Sequence, residues 1–140
     1  NAIGRLLHHG KTLVGGCYFD RVAGGKAQFN DAAASREINA DVKNGPRADL
    51  RPTKWVAAGC MLVHRSVFVD IATKGIANKL PDNQAQYLGY NYGFFDPISD
   101  GTGEDVSFCL RAEKAGHQPY VDLSVMPGHV GSHVYNYYSR

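Results

Sequence analysis

Glu104 and Asp105 stand side by side in the stretch Gly103-Glu104-Asp105-Val106-Ser107-Phe108-Cys109-Leu110-Arg111, and His129 follows 24 positions after Asp105 inside Gly128-His129-Val130-Gly131. An ionised aspartate can take the proton of a hydroxyl nucleophile. An imidazole between glycines can ligate a divalent ion or touch a phosphate. Neighbouring residues on a helix point about 100° apart, so the two carboxylates divide the work. One faces an acceptor while the other caps the helix or orders the loop. Gly101 and Gly103 allow close approach of the chain to a ligand, and Tyr92, Phe94 and Phe95 can wall a cleft. Each feature also has a plain structural use. Acidic first turns answer the open amides and dipole of a helix without catalysis. One histidine falls short of the three or more protein ligands that metal sites use. His8, His9, His64, His117 and His133 read as exposed polar residues.

The helix that must carry the acidic pair spans 102–115. Thr102 with Asp105 three positions on fits a capping pattern. Phe108, Cys109, Ala112 and Ala115 supply an apolar side, widened by Leu110; Arg111, Glu113 and Lys114 supply the wet side, and Gly116 stands where a left-handed cap belongs. Residues 55–63 read as a buried strand of small and apolar side chains interrupted by Gly59. Trp55 can stack on a sugar face or sit at a core rim. Gly59 and its small neighbours either leave room for a ligand or pack closely in a sheet.

Other elements follow from the pattern. A helix over 2–9 is closed by Gly10, and a strand spans 13–19, with Gly15 and Gly16 bringing another backbone close. Residues 22–31 read as a loop, 32–42 as weak helix or an irregular arm, and 67–72 as a short helix capped by Ser66. Residues 78–91 read as an exposed polar loop. Pro119 places the 118–122 strand at an edge or a strand start. Residues 125–130 form a second extended piece. Strand, helix and strand in this order imply one mixed α/β domain, and no internal linker or repeat divides residues 1–140.

Composition sets the outer bounds. The 140 residues are 44% apolar and 20% charged, with a formal charge of +2, too little to imply nucleic acid. No run reaches the roughly 18 apolar residues of a membrane span. Cys17, Cys60 and Cys109 are odd in number and widely spaced, which argues against a disulfide framework and for small buried side chains. A cytoplasmic setting is the default. The chain begins at Asn1 rather than methionine, so its start reads as cut or processed.

Over about residues 6–133 the chain resembles the C-terminal, acceptor-side half of a family 2 type glycosyltransferase catalytic domain of the GT-A fold. Three segments carry the likeness: Trp55-Val56-Ala57-Ala58-Gly59-Cys60-Met61-Leu62-Val63, the Gly103 to Arg111 stretch, and Tyr120-Val121-Asp122 through Gly128-His129-Val130-Gly131. The resemblance implies a partial GT-A fold, a mixed sheet with flanking helices, and inverting transfer from a nucleotide-diphospho-sugar to a hydroxyl acceptor such as a glycan. Asp105 would be the catalytic base. Glu104, Trp55, Gly59, Tyr92 and Phe95 would hold substrate, and His129 would lie by the diphosphate and its Mn²⁺ or Mg²⁺ ion.

The chain departs from the family at its front. No Asp-X-Asp occurs, and Asp20 and Asp31 are isolated. The N-terminal nucleotide-binding half is therefore expected to be missing, with a separate half or a neighbouring chain as a further partner and little turnover from this piece alone. Two alternatives stand beside transfer. One is a non-catalytic carbohydrate- or nucleotide-binding module derived from a transferase. The other is a metal-dependent hydrolase built on Glu104, Asp105 and His129. The aromatic tail from Tyr135 to Tyr138 can cover apolar surface or meet a neighbouring chain.

Overall fold

Leu13 and Val14 sit on opposite faces of one strand, as alternation along a strand requires, and both are fully buried. That strand must be covered on both sides. The computed structural model describes residues 1–17, 50–130 and 134–135, at 87–88, 129–130 and 134–135 for the backbone alone. It shows a four-stranded mixed sheet in the order β2-β4-β1-β3. These strands are β1 (Leu13–Gly16), β2 (Leu50–Pro52), β3 (Met61–Val63) and β4 (Tyr120–Asp122). β1 runs parallel to β4, with Gly15 opposite Val121, and antiparallel to β3, with Val14 opposite Leu62. β2 closes the other edge antiparallel to β4.

Helix α1 (Ala2–His8) covers one face, placing Leu6 against Val14 and Val125. The other face carries α2 (Arg65–Thr73) and α4 (Glu104–Lys114). There Leu13, Val56, Val67, Ile71, Phe108, Ala112 and Val121 form the main core. A short helix, α3 (Asp82–Leu88), lies between them in sequence. β5 (His129–Val130) pairs antiparallel with β6 (Val134–Tyr135) as a separate ribbon. The molecule is mixed α/β, and among the described residues no helix is long and apolar enough to cross a membrane.

Both long helices end in the same way. Gly75 and Gly116 take left-handed φ values of 63° and 98°. The next residues, Ile76 and His117, donate back to Ile71 O and Ala112 O at 3.0 and 2.9 Å, the six-to-one bond of a Schellman ending. Gly116 therefore takes the left-handed role its position suggested. The two ends meet at Lys74, whose ammonium donates to Ala115 O at 2.6 Å.

Several elements differ from the sequence expectation. The 55–63 segment is not one strand. Ala58–Cys60 form a 3-10 turn and only Met61–Val63 join the sheet. Ala58 and Gly59 lack the branched side chains that favour a pleated surface, and Gly59 is exposed rather than packed in a sheet. The 78–91 loop contains α3, with Pro81 at its N-cap and Gly89 left-handed at its end. The polar and small side chains of 82–86, none of them buried, gave no helical apolar pattern. The α4 helix begins at Glu104, with Gly103 as cap. The α2 cap is His64, whose Nδ1 accepts from the Ser66 amide at 3.2 Å, rather than Ser66. β4 lies inside the sheet; Pro119 precedes its start. Only His129–Val130 of the 125–130 piece are strand. Residues 18–49, 131–133 and 136–140 lie outside the description. With them go the expected loop at 22–31, the 32–42 arm, Asp20, Asp31, His133 and Tyr137–Tyr138.

Gly15 and Gly16 do bring other backbone close. A Cβ on Gly15 would stand 2.9 Å from Cys60 O, and one on Gly16 would stand 2.7 Å from Val125 O. The second neighbour is main chain fixed by the Cys17 amide, which donates to Val125 O at 2.7 Å. Gly16→Ala should therefore cost about 1–3 kcal/mol, measured as a lower urea midpoint with unchanged slope.

Candidate functional site

The acidic pair opens α4. Glu104 is exposed and Asp105 half-buried. Gly103 offers no side chain for capping, and Asp105 Oδ1 instead accepts the Val106 amide at 2.8 Å. Thr102 does not form the expected cap; its hydroxyl is shared with Ser99 Oγ at 2.7 Å. A Cβ on Gly103 would stand 3.1 Å from Asp105 Oδ1, so the glycine leaves that carboxylate its space.

The same helix builds the aromatic loop ahead of it. Arg111, expected on the wet side, is only 7% exposed. Its Nη1 donates to Asp96 O at 2.6 Å and to Phe94 O at 3.3 Å. Ser107 Oγ accepts the Ile98 amide at 3.1 Å. Phe95 stacks on Phe108 with centroids 4.5 Å apart and planes at 16°. Phe68 of α2 meets both Phe94 and Phe108 at 5.1 and 5.3 Å. The loop's near end is tied by Gly93 N donating to Asn78 O at 3.0 Å and Leu80 N to Asn91 O at 2.9 Å. Tyr90, Tyr92, Gly93, Phe94, Phe95 and Asp96 line a cavity of about 310 Å³. The Asp96 carboxylate lies over Gly93, in space a Cβ would occupy. The Phe95–Phe108 stack joins the cavity wall to the helix that bears Asp105 three positions earlier, although neither Glu104 nor Asp105 is among the residues lining the cavity.

The other expected site residues are placed as follows. Trp55 is half-buried and packs on the main core, with its carbonyl accepting from Thr53 Oγ1 at 3.2 Å. Neither Trp55 nor Gly59 lines the aromatic cavity. His129 lies in β5, opposite Tyr135; its side chain is outside the description. Among the described residues no three His, Cys, Asp or Glu side chains gather as a metal would require. Cys17 and Cys109 are buried, as expected, while Cys60 is partly exposed. Burial pushes the Cys109 thiol up to about 11, against the pull of its bond to Val56 O, with the nearby Asp105 charge adding to the rise. Cys109 therefore stays protonated and unreactive beside the acidic end.

A second polar cluster had no sequence signal because its members are far apart in the chain. Asp122, at the end of β4, is fully buried. Its Oδ2 accepts from Arg5 Nε at 2.9 Å and from His9 Nε2 at 2.7 Å. Its Oδ1 accepts from the Ser124 amide and hydroxyl at 2.8 and 2.6 Å. His117 also has partners: Nε2 faces Asp70 Oδ2 at 2.8 Å and Nδ1 faces Thr12 Oγ1 at 3.1 Å. His9 and His117 are thus structural links rather than spare exposed residues.

Comparison with protein-family models, curated proteins and solved structures found no match.

Burial alone would raise the Asp122 carboxyl. The bonds from His9, Ser124 and Arg5 outweigh it and lower the group from 3.8 to about 2. A carboxylate depressed on folding adds stability above its unfolded value, and that stability is lost as pH falls through the folded one. Wild-type stability should drop between about pH 4 and pH 2 through this group. Asp122→Asn should be less stable by roughly 2 kcal/mol at pH 7 and show a flatter decline in that window, read by denaturant titration at stepped pH.

Proposed function

We propose that this chain is the acceptor-side part of an inverting glycosyltransferase of the GT-A type, with Asp105 as catalytic base. The observation that carries the reading is the joining of acid and aromatic wall on one helix. Arg111 and Ser107 clamp the 94–98 loop to α4, whose first turn bears Asp105. An apolar, partly open cavity whose loop is tied to the helix bearing a half-buried carboxylate suits recognition of a sugar by ring stacking, with polar groups fixing orientation. The mixed sheet with helices on both faces agrees with that fold without being specific to it.

In this reading the acceptor hydroxyl gives its proton to Asp105 as its oxygen attacks the anomeric carbon. The bond from that carbon to the donor diphosphate breaks, the diphosphate leaves with the electron pair, and the configuration inverts. Glu104, exposed on the adjoining helix position, orders the loop or meets the acceptor's outer part. Tyr92 and Phe95 form the acceptor wall. The resemblance assigns a Mn²⁺ or Mg²⁺ ion beside His129. The described side chains do not compose a site for it.

Asp105→Asn, tested in a protein that joins this chain to a nucleotide-binding half, should lower turnover by about 10²–10⁴-fold, the usual worth of a general base. Nucleotide affinity should persist. Unchanged turnover in a folded variant would remove Asp105 from the role.

A further inference from the structure

β1 and β4 are the parallel pair in the four-stranded sheet, and ligands of open α/β sheets settle outside the carboxyl ends of such strands. At that end a cavity of about 430 Å³ opens between α1 and the segment after β4, lined by Ala2, Arg5, Ser124, Val125, Met126 and Pro127 among others. Among the described residues no acidic side chain lines it. Its floor is rigid, because the Cys17 amide donates to Val125 O and Gly16 lies against the same carbonyl.

Among the described residues Arg5 supplies the charged side chain at this opening. Its Nε donates to Asp122, while its side chain is 44% exposed. Among the described residues its two η nitrogens have no hydrogen-bonding partner. Asp122 is enclosed and already accepts four donors, so it orients the guanidinium without presenting a negative face to the cavity. A planar fork fixed at one nitrogen and open at two matches a tetrahedral phosphoryl group.

We propose that this cavity is an anion site for a phosphoryl group, bound by the η nitrogens of Arg5 with Asp122 as its positioning residue. Identifying the ligand as the diphosphate of a nucleotide sugar rests on the transfer reading above; the anion site itself does not. The charges of Arg5 and Asp122 nearly cancel, so binding by this cavity is directional and weak.

The probe is inorganic pyrophosphate, titrated into the 140-residue chain at constant ionic strength and followed by amide and arginine side-chain NMR. Saturable shifts should appear at Arg5 and at the amides of 124–126. Arg5→Gln should weaken binding at least tenfold. Arg5→Lys should weaken it as well, because the charge stays and the fork is lost. Asp122→Asn, with its remaining amide spectrum native, should release the Arg5 Nε–H from protection and weaken binding while Arg5 is still present. A purely structural Asp122 would lower stability and leave affinity unchanged. Binding by Arg5→Gln equal to wild type, or shifts scattered over the surface, overturns the site and leaves the role of Asp105 untouched. Failure of Asp105→Asn to stop transfer sinks the base and leaves this site standing. Uridine diphosphate binding more tightly than pyrophosphate supports the donor identity, and equal affinity overturns that identity alone.

Discussion

Enclosing the Asp122 carboxylate at the end of β4 carries a desolvation cost that only well-placed donors can offset. Arg5 and His9 reach it from α1, and Ser124 reaches it from the turn that follows. The ion pair and its hydrogen bonds thereby fix α1 across the sheet, set the path of 124–127, and hold β4 between β1 and β2. Removing one partner would leave a charge without compensation in the interior, which is why this cluster constrains so much of the surrounding chain.

The other organising contact is made by α4. Its buried face supplies Phe108, Cys109 and Ala112 to the core, while Arg111 turns inward to hold the carbonyls of Phe94 and Asp96. An arginine beneath a loop does what neighbouring strands do for a sheet: it satisfies backbone acceptors that burial would otherwise leave open. The aromatic loop is thereby tied to the helix whose first turn is acidic. Such rigid support is what positioning a reactant requires.

The sequence made α4 legible because its apolar side chains recur at helical spacing and Gly116 marks its end. β1 and β4 were legible as short apolar runs, and the close approach at Gly15 and Gly16 followed from two glycines inside a strand. The 55–63 segment misled because small apolar residues suit a buried strand and a tight turn equally. In the short helix Asp82–Leu88, the described side chains 82–86 are polar or small and none is buried, so no apolar periodicity announced it. Arg111 was assigned to solvent by residue type; only the carbonyls of a loop some 15 positions earlier explain its burial. The Asp122 cluster joins residues 117 and 113 positions apart, and nothing local announces that pairing. Of the expected site, Tyr92 and Phe95 line one cavity, Asp105 opens the helix to which that loop is tied, and Trp55 and Gly59 lie outside the cavity lining.

The meeting of α2 and α4 at Lys74 has its own consequence. Each helix ends in carbonyls that carry partial negative charge, and one exposed ammonium donates to Ala115 O at the junction. Acetylating that amine would strip away the shared counter-charge and leave two like poles adjacent. Reagents or enzymes that modify lysines would thus loosen the domain at this junction, where the Asp70–His117 contact also sits.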